Sequence, residues 1–400
     1  MILRKRYLEW LIKNQGNSLI KVLSGVRRSG KSTLFELYKM HLKEQGITDE
    51  QIIHLNFEDL RFFNLRDFMK LNEYVLERTD NEKQYYILLD EIQHVHKFEE
   101  VVNSLNLQSN FDLYITGSNA YFMSGELATL LAGRYLEKKI LPLSFAEFLS
   151  IQPTDSKSLT HIYNRYQQTA FPFLATVEDK EAHNDYIRAI YNDIVVKDVV
   201  TRYKITEQNL LERILMFLLS SIGSEISINK IANVLKNEGI AISNVSVEKF
   251  VDALVDGLIL YKVPRFDIKG KNLLRRLEKY YVVDLGFRGL MLPDKVGDEG
   301  HLLENTVYLE LRRRYRNVYI GRSDKYEVDF VCIDDHAVPA YYQVALQTLD
   351  EAVLQREIRS LEVIKDSHPK FLLTLDTINP TANYNGIIKM NVIDWLQESK

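Results

Sequence analysis

The chain has a single cysteine, Cys332, among 400 residues. No disulfide can form within it, and a reducing compartment is its natural setting. It has no apolar run near the ~18 residues that a membrane span requires; ILMFLLSSIG, Ile214 to Gly223, is among the longest. It has no strong excess of charge: the net value is -4, which gives the whole chain no electrostatic bias toward nucleic acid or anionic lipid. Any such affinity has to come from a local patch. Its basic N-terminus, MILRKRYLEWLIKNQGNS, lacks an unbroken apolar stretch, so it reads as a short amphipathic helix rather than a signal peptide, and a cytoplasmic protein is expected. Internal repeats and low-complexity tracts are absent. What remains is a globular composition, 46% hydrophobic and 26% charged. The chain is too long for one ordinary core, so two to four domains are expected.

The stretch GVRRSGKST, Gly25 to Thr33, fits the phosphate-binding pattern G-x-x-x-x-G-K-[ST] at every required position. A β-rich run, SLIKVLSG, precedes it, and TLFELYKMHLKEQG, with helical spacing and a glycine stop, follows. This is the strand–loop–helix context in which the pattern has a mechanism. Gly25 and Gly30 let the backbone curl so that N–H groups along Val26, Arg27, Arg28 and Ser29 face phosphate oxygens, and the helix N-terminus adds positive potential. Lys31 reaches the β- and γ-phosphates of ATP, and Ser32 offers its hydroxyl to Mg²⁺.

A second element strengthens the first. YYILLDEIQHV, Tyr85 to Val95, reads as a buried parallel strand ending in two carboxylates. The tips of such strands are where open α/β sheets bind ligands. Asp90 is the expected Mg²⁺ ligand, through water, and Glu91 the group that orients and polarises the attacking water. A third strand, FDLYITGSNA, ends in Ser118 and Asn119, which suit either a contact to the γ-phosphate or an ordinary polar strand end. Arg134 stands just before a fourth strand and suits either a solvated role or the phosphates of a neighbouring subunit.

GVRRSGKST, LNFEDLRF, ILLDEIQ, ITGSNA and AGRYLEKKILPLSFAEF together resemble the AAA-type ATPases of bacteria and archaea that carry a C-terminal domain of unknown function. The resemblance covers most of the chain. It implies an α/β P-loop sheet in which the strand ending at Ser118 lies between the P-loop strand and the Asp90–Glu91 strand. It also implies Ser118 or Asn119 as the nucleotide sensor, Arg134 as an arginine finger acting across a homo-oligomer, and a helical lid after the sheet. Glu58 and Asp59 sit at another strand tip without an assigned role.

The expected division is 1–150 for the ATPase, 151–208 for the lid and linker, 209–294 for a winged-helix-like domain and 295–400 for a second α/β domain. The third segment offers three short helices and a hairpin-like stretch, KVPRFDIKGKNLLRRLEK, with seven basic and two acidic residues. Lys269, Lys271, Arg275 and Arg276 there suit phosphate contacts. The helix before it carries Glu248, Asp252 and Asp256, which suits packing or a protein client better than DNA. The last segment resembles the restriction-endonuclease-like fold. Glu304 and Asp329 match its first two metal-binding positions, but Gln343 and Ala345 stand where an acid and a lysine are needed, so the nuclease site is expected to be degenerate. Cys332 lies in an apolar run and is expected to be buried and inert. The leading reading is Mg²⁺-dependent ATP hydrolysis driving a conformational switch. The alternatives are a nucleotide-locked module that holds DNA or protein, and an ATP-gated nuclease.

Overall fold

A computed structural model describes the chain except residues 119–128, 132, 154–157, 294–296, 324 and 399–400, and except the side chains of 118, 180, 196–197 and 274–276. The chain folds as two compact units, Met1–Pro142 and Leu143–Lys400.

The first unit is built on five parallel strands: β1 (Ile20–Gly25), β2 (Ile52–Asn56), β3 (Tyr85–Asp90), β4 (Phe111–Ser118) and β5 (Tyr135–Ile140), in the order β2-β3-β4-β1-β5. Every residue of β1 and β3 is buried, as expected for central parallel strands covered on both faces. Side chains alternate between those faces. Val22, Ile87 and Leu89 join a core with α3 (Phe68–Leu76) and α4 (Phe98–Leu105). Leu23, Tyr86 and Leu88 join the opposite core with α1 (Lys5–Lys13) and α2 (Lys31–Glu44). The strand of Ser118 lies between those of Gly25 and Asp90, in the order that the resemblance implies. Gly25 pairs in register with Ser118, so the C-terminal tips of β1 and β4 are level.

The second unit begins with helices and continues into an eight-stranded mixed sheet. Its strands are β6 (Leu260–Asp267), β7 (Asn272–Val282), β8 (Asn317–Ser323), β9 (Tyr326–Ile333), β10 (Pro339–Ala345), β11 (Lys370–Thr374), β12 (Ala382–Tyr384) and β13 (Ile387–Asn391). Their order is β12-β13-β11-β10-β9-β8-β6-β7. The three helices Gln208–Ser220, Ile228–Asn237 and Asn244–Asp256 precede the β6–β7 hairpin, in the element order read from the sequence.

The first unit closes at Pro142, and the segments 209–294 and 295–400 contribute strands to one sheet. The reason lies in the pairing of β6 with β8, in which Arg265 is opposite Ile320 and Phe266 opposite Gly321. Phe266 stacks on Tyr319 with centroids 5.5 Å apart. A hairpin that gives up its edge to a neighbouring strand cannot be a separate wing. Among the described residues no helix is long and apolar enough to cross a membrane.

Candidate nucleotide site

The loop after β1 has the backbone that a phosphate cradle needs. Gly25 has φ +155°, and a Cβ there would come 2.3 Å from the carbonyl oxygen of Ile140. Gly30, the N-cap of α2, is left-handed at φ +94°. Arg28 is also left-handed, at +64°, a conformation that costs a residue with a side chain and recurs at binding loops. Lys31 opens α2 and is 3% exposed. Its Nζ donates to the carbonyls of Gly25 (3.1 Å) and Val26 (3.3 Å) and stands 3.8 Å from Glu91 Oε1. The Ser29 hydroxyl is buried without a hydrogen-bond partner among the described residues.

Asp90 and Glu91 follow one another and sit in different electrostatic settings. Asp90 is fully buried. Burial pushes its carboxyl above the usual range, against hydrogen bonds from the Thr116 and Ser32 hydroxyls. Asn56 Nδ2 donates to its other oxygen at 3.1 Å. Glu91 is left-handed at φ +53°. Burial pushes its carboxyl upward too, but the charge of Lys31, the amide of Gln93 (2.5 Å) and the charge of Arg27 outweigh that effect and hold it below the ordinary value. Its N–H donates to Thr116 Oγ1 at 3.0 Å. Neighbouring carboxylates pushed in opposite directions are the pattern of divided acid–base labour. A hydroxyl and a buried carboxylate in direct contact are also the hard-oxygen donors that suit Mg²⁺.

Thr116 and Asn56 were not singled out from the sequence. Each is an ordinary polar residue near a strand tip, and only the register β2-β3-β4 brings both to Asp90. Glu58 reaches Arg27 of the loop at 3.7 Å, and Asp59 caps the following turn by accepting from the Arg61 N–H. Arg134 is exposed at the start of β5. Ser118 closes β4, but its side chain and all of Asn119 lie outside the described residues.

In the second unit the structure brings Glu304, Asp329 and Gln343 together, and adds Lys279 from the basic hairpin. Lys279 of β7 is 4% exposed. Its ammonium lies 2.9 Å from Glu304, 2.7 Å from Glu327 and 3.8 Å from Asp329. Tyr281 donates to Glu304 at 2.6 Å. Gln343 donates to Glu357 at 2.9 Å and accepts from Ser360 at 3.1 Å. Burial and the Glu304 charge hold the Asp329 carboxyl well above its ordinary range. Burial raises the Glu304 carboxyl, but the Lys279 charge and the hydrogen bonds from His301, Tyr281 and Lys279 together outweigh it and draw the group down. The expected lack of a lysine on the third strand holds, since Ala345 ends β10; a lysine arrives instead from a strand more distant in sequence. Among the described residues no group of three or more His, Cys, Asp or Glu is arranged to hold a metal ion.

The basic hairpin is less open than its composition suggests. Lys262 pairs with Glu278 (3.3 Å), Arg265 with Glu225 (3.1 Å), and Lys279 is internal. Lys269 and Lys271 are exposed, and the side chains of Arg275 and Arg276 lie outside the described residues. The arginine-rich end of the helix Glu299–Arg314 is also internally engaged, with Arg313 and Arg314 both bonded to Glu310. Cys332 is buried, and burial pushes its thiol well up.

The chain is similar to several known proteins. The family model described as an AAA domain matches residues 17–149, and a domain of unknown function (DUF8612) matches residues 161–296. An uncharacterized protein of Haemophilus influenzae is 36% identical over 400 residues, covering 99% of this chain and 98% of its own. An uncharacterized protein of Methanocaldococcus jannaschii is 32% identical over 394 residues, covering 94% and 85%. Among solved structures, a Walker-type ATPase of Pyrococcus abyssi matches 73% of this chain and 96% of its own at 15% identity, with a TM-score of 0.43. With its phosphate loop, its strand order and its full-length relatives, the chain belongs to the AAA-type P-loop ATPases that carry a C-terminal domain of unknown function.

Proposed function

We propose that the chain binds ATP with Mg²⁺ in the Gly25–Thr33 loop and hydrolyses it, and that the second unit responds to the nucleotide state. The observation that carries this reading is the division between Asp90 and Glu91. Glu91 stays ionised beside Lys31 and Gln93, as a base must, while Asp90 is a buried carboxyl in contact with Ser32. Ser32 and Asp90 would hold Mg²⁺, which when bound neutralises charge on the terminal phosphates. Lys31 now donates to two loop carbonyls; with nucleotide present it turns to the phosphate oxygens. Glu91 then accepts a proton from the attacking water. The Thr116 hydroxyl bonds the Asp90 carboxylate and accepts from the Glu91 N–H, so one side chain holds the first carboxylate and the backbone of the second. Ser118 and Asn119 are assigned to sensing the γ-phosphate. The exposed Arg134 is assigned to a neighbouring copy, which makes self-association part of the reading.

The test is phosphate release from Mg-ATP by wild type and Glu91→Gln across a dilution series. The expected result is a turnover loss of about 100-fold or more in the variant with ATP binding retained. Wild-type specific activity should rise with concentration, and Arg134→Ala should abolish that rise. ATP binding without wild-type turnover would replace this reading with a nucleotide-locked binding module. An ATP-gated nuclease receives little support, because Lys279 already neutralises the carboxylates that a metal would need.

A further inference from the structure

Arg4 lies outside every motif of the sequence and just before α1, yet it is 1% exposed. A guanidinium taken out of water has to find acceptors in fixed directions. One arm of Arg4 donates to the carbonyl of Ser29 at 2.7 Å. The other donates to the carbonyls of Leu141 (2.9 Å) and Pro142 (3.2 Å). The group also stacks on Tyr7, 4.6 Å from the ring centroid, and the Tyr7 hydroxyl accepts from the Leu141 N–H at 3.3 Å. One side chain therefore joins the phosphate loop to the end of the first unit, which closes at Pro142.

The Ser29 carbonyl matters because of the peptide bond that it belongs to. The C=O of Ser29 and the N–H of Gly30 form one rigid plane and point in opposite directions. Holding the carbonyl on one side aims the Gly30 N–H to the other. That N–H is among the donors that the loop offers to phosphate, and left-handed Gly30 is the N-cap from which α2 starts. Without such a hold the plane could flip, since both flanking torsions are soft and Gly30 tolerates either hand.

We propose that Arg4 is a positioning residue for the phosphate cradle: it fixes the Ser29–Gly30 peptide plane and ties it to Leu141–Pro142, where the chain leaves the ATPase sheet. The inference rests on the nucleotide reading above. Its experiment measures binding of a fluorescent ATP analogue with Mg²⁺ to the full chain as wild type, Arg4→Ala, Arg4→Lys and Lys31→Ala. Hydrogen exchange of residues 25–33 and of the Leu141 amide is followed in parallel. Arg4→Ala should bind about 10-fold or more weakly, with KM for ATP rising more than kcat falls. Added ethylguanidinium should recover binding in this variant and not in Lys31→Ala. Exchange should rise at the loop and at Leu141 together. Arg4→Lys keeps the charge but cannot fork to both sides, so it should fold and bind with intermediate affinity; it carries the test if the alanine variant fails to fold. Wild-type affinity in Arg4→Ala, or in Arg4→Lys should alanine not fold, with Lys31→Ala inactive in binding, overturns the inference alone. Loss of binding in Arg4→Ala that ethylguanidinium does not reverse, with exchange unchanged at Leu141, also overturns it. A wild type that binds no ATP overturns the parent reading and this one with it.

Discussion

Two lysines, Lys31 and Lys279, each stand buried beside carboxylates, and the first unit and the second use them differently. Lys31 spends its hydrogen bonds on two loop carbonyls and stays 3.8 Å from Glu91. The next residues of the chain, Ser32 and Thr33, line a cavity of about 540 Å³ with His54, Asn56, Asp59 and Asp90. Lys279 makes contacts of 2.9 Å and 2.7 Å with Glu304 and Glu327, and Tyr281 adds another donor. Its ammonium occupies the centre of its carboxylates, where the nuclease resemblance would put a cation. A site that awaits a ligand keeps its charge only loosely satisfied and next to open space; a cluster that has become part of the fold satisfies its charge internally. The same residue types therefore support a nucleotide site in one unit and a structural clamp in the other.

Exchanging each lysine for methionine is the strongest way to break this comparison. Lys279→Met removes the ammonium beside buried Glu304 and Asp329, leaving Glu304 only Tyr281 and His301, and should destabilise the second unit by about 3–5 kcal/mol. Adding Glu304→Gln should recover a large part of that loss. Lys31→Met should cost under about 2 kcal/mol, because Gln93 and Arg27 remain beside Glu91, yet should abolish ATP binding. Hydrogen exchange read separately over the two units, with nucleotide titration, checks both arms. Equal stability losses would mean that Lys31 is also a clamp. A smaller effect sharpens the nucleotide side. Thr116→Val removes the hydroxyl that serves both Asp90 and the Glu91 N–H. Turnover should fall about 10-fold to 100-fold with ATP affinity nearly unchanged, as steady-state kinetics beside equilibrium binding would measure. Loss of affinity with normal kcat would move Thr116 from positioning the carboxylates to building the cradle.

The candidate nucleotide site was legible in the sequence because its parts are local. Gly25, Gly30, Lys31 and Ser32 lie within one loop, and Asp90 and Glu91 are adjacent at the end of an apolar run. Their roles follow from backbone geometry and strand ends, which short patterns encode. Arg4, Asn56, Thr116 and Lys279 were not legible, because each acquires its meaning from a partner on another strand or loop. Lys279 shows the limit well. In sequence it is only the last charge of a basic hairpin; only the pairing of β6 with β8 brings that hairpin to the sheet that carries Asp329. The same pairing puts strands of the third and fourth expected segments in one sheet. No local signal marks which edge strand a hairpin will adopt when the partner lies some 50 residues away in the chain.

A third buried carboxylate, Asp284, tests whether a cation is needed at all. Neutral donors surround it: the Ala170 N–H at 2.7 Å, the Gly286 N–H at 2.9 Å and the Thr169 hydroxyl, with His183 contributing a minor charge. Burial outweighs these donors and pushes its carboxyl from 3.8 to about 6. The sign follows from proton counting. Between about pH 4 and pH 6 the folded chain keeps a proton on Asp284 that the unfolded chain releases, so this group's contribution to stability falls as pH rises through that window and is level above it. Asp284→Asn has no proton to lose, although its amide cannot accept from both Ala170 and Gly286. The variant should therefore melt lower than wild type, and the gap should narrow by a few degrees (~2–4 °C per kcal/mol in a unit of this size) between pH 4 and pH 6. Thermal melts of both proteins across that range check it. Parallel curves would mean that the two backbone donors hold Asp284 ionised throughout, and that dipoles alone can do for Asp284 what Lys279 does for Glu304.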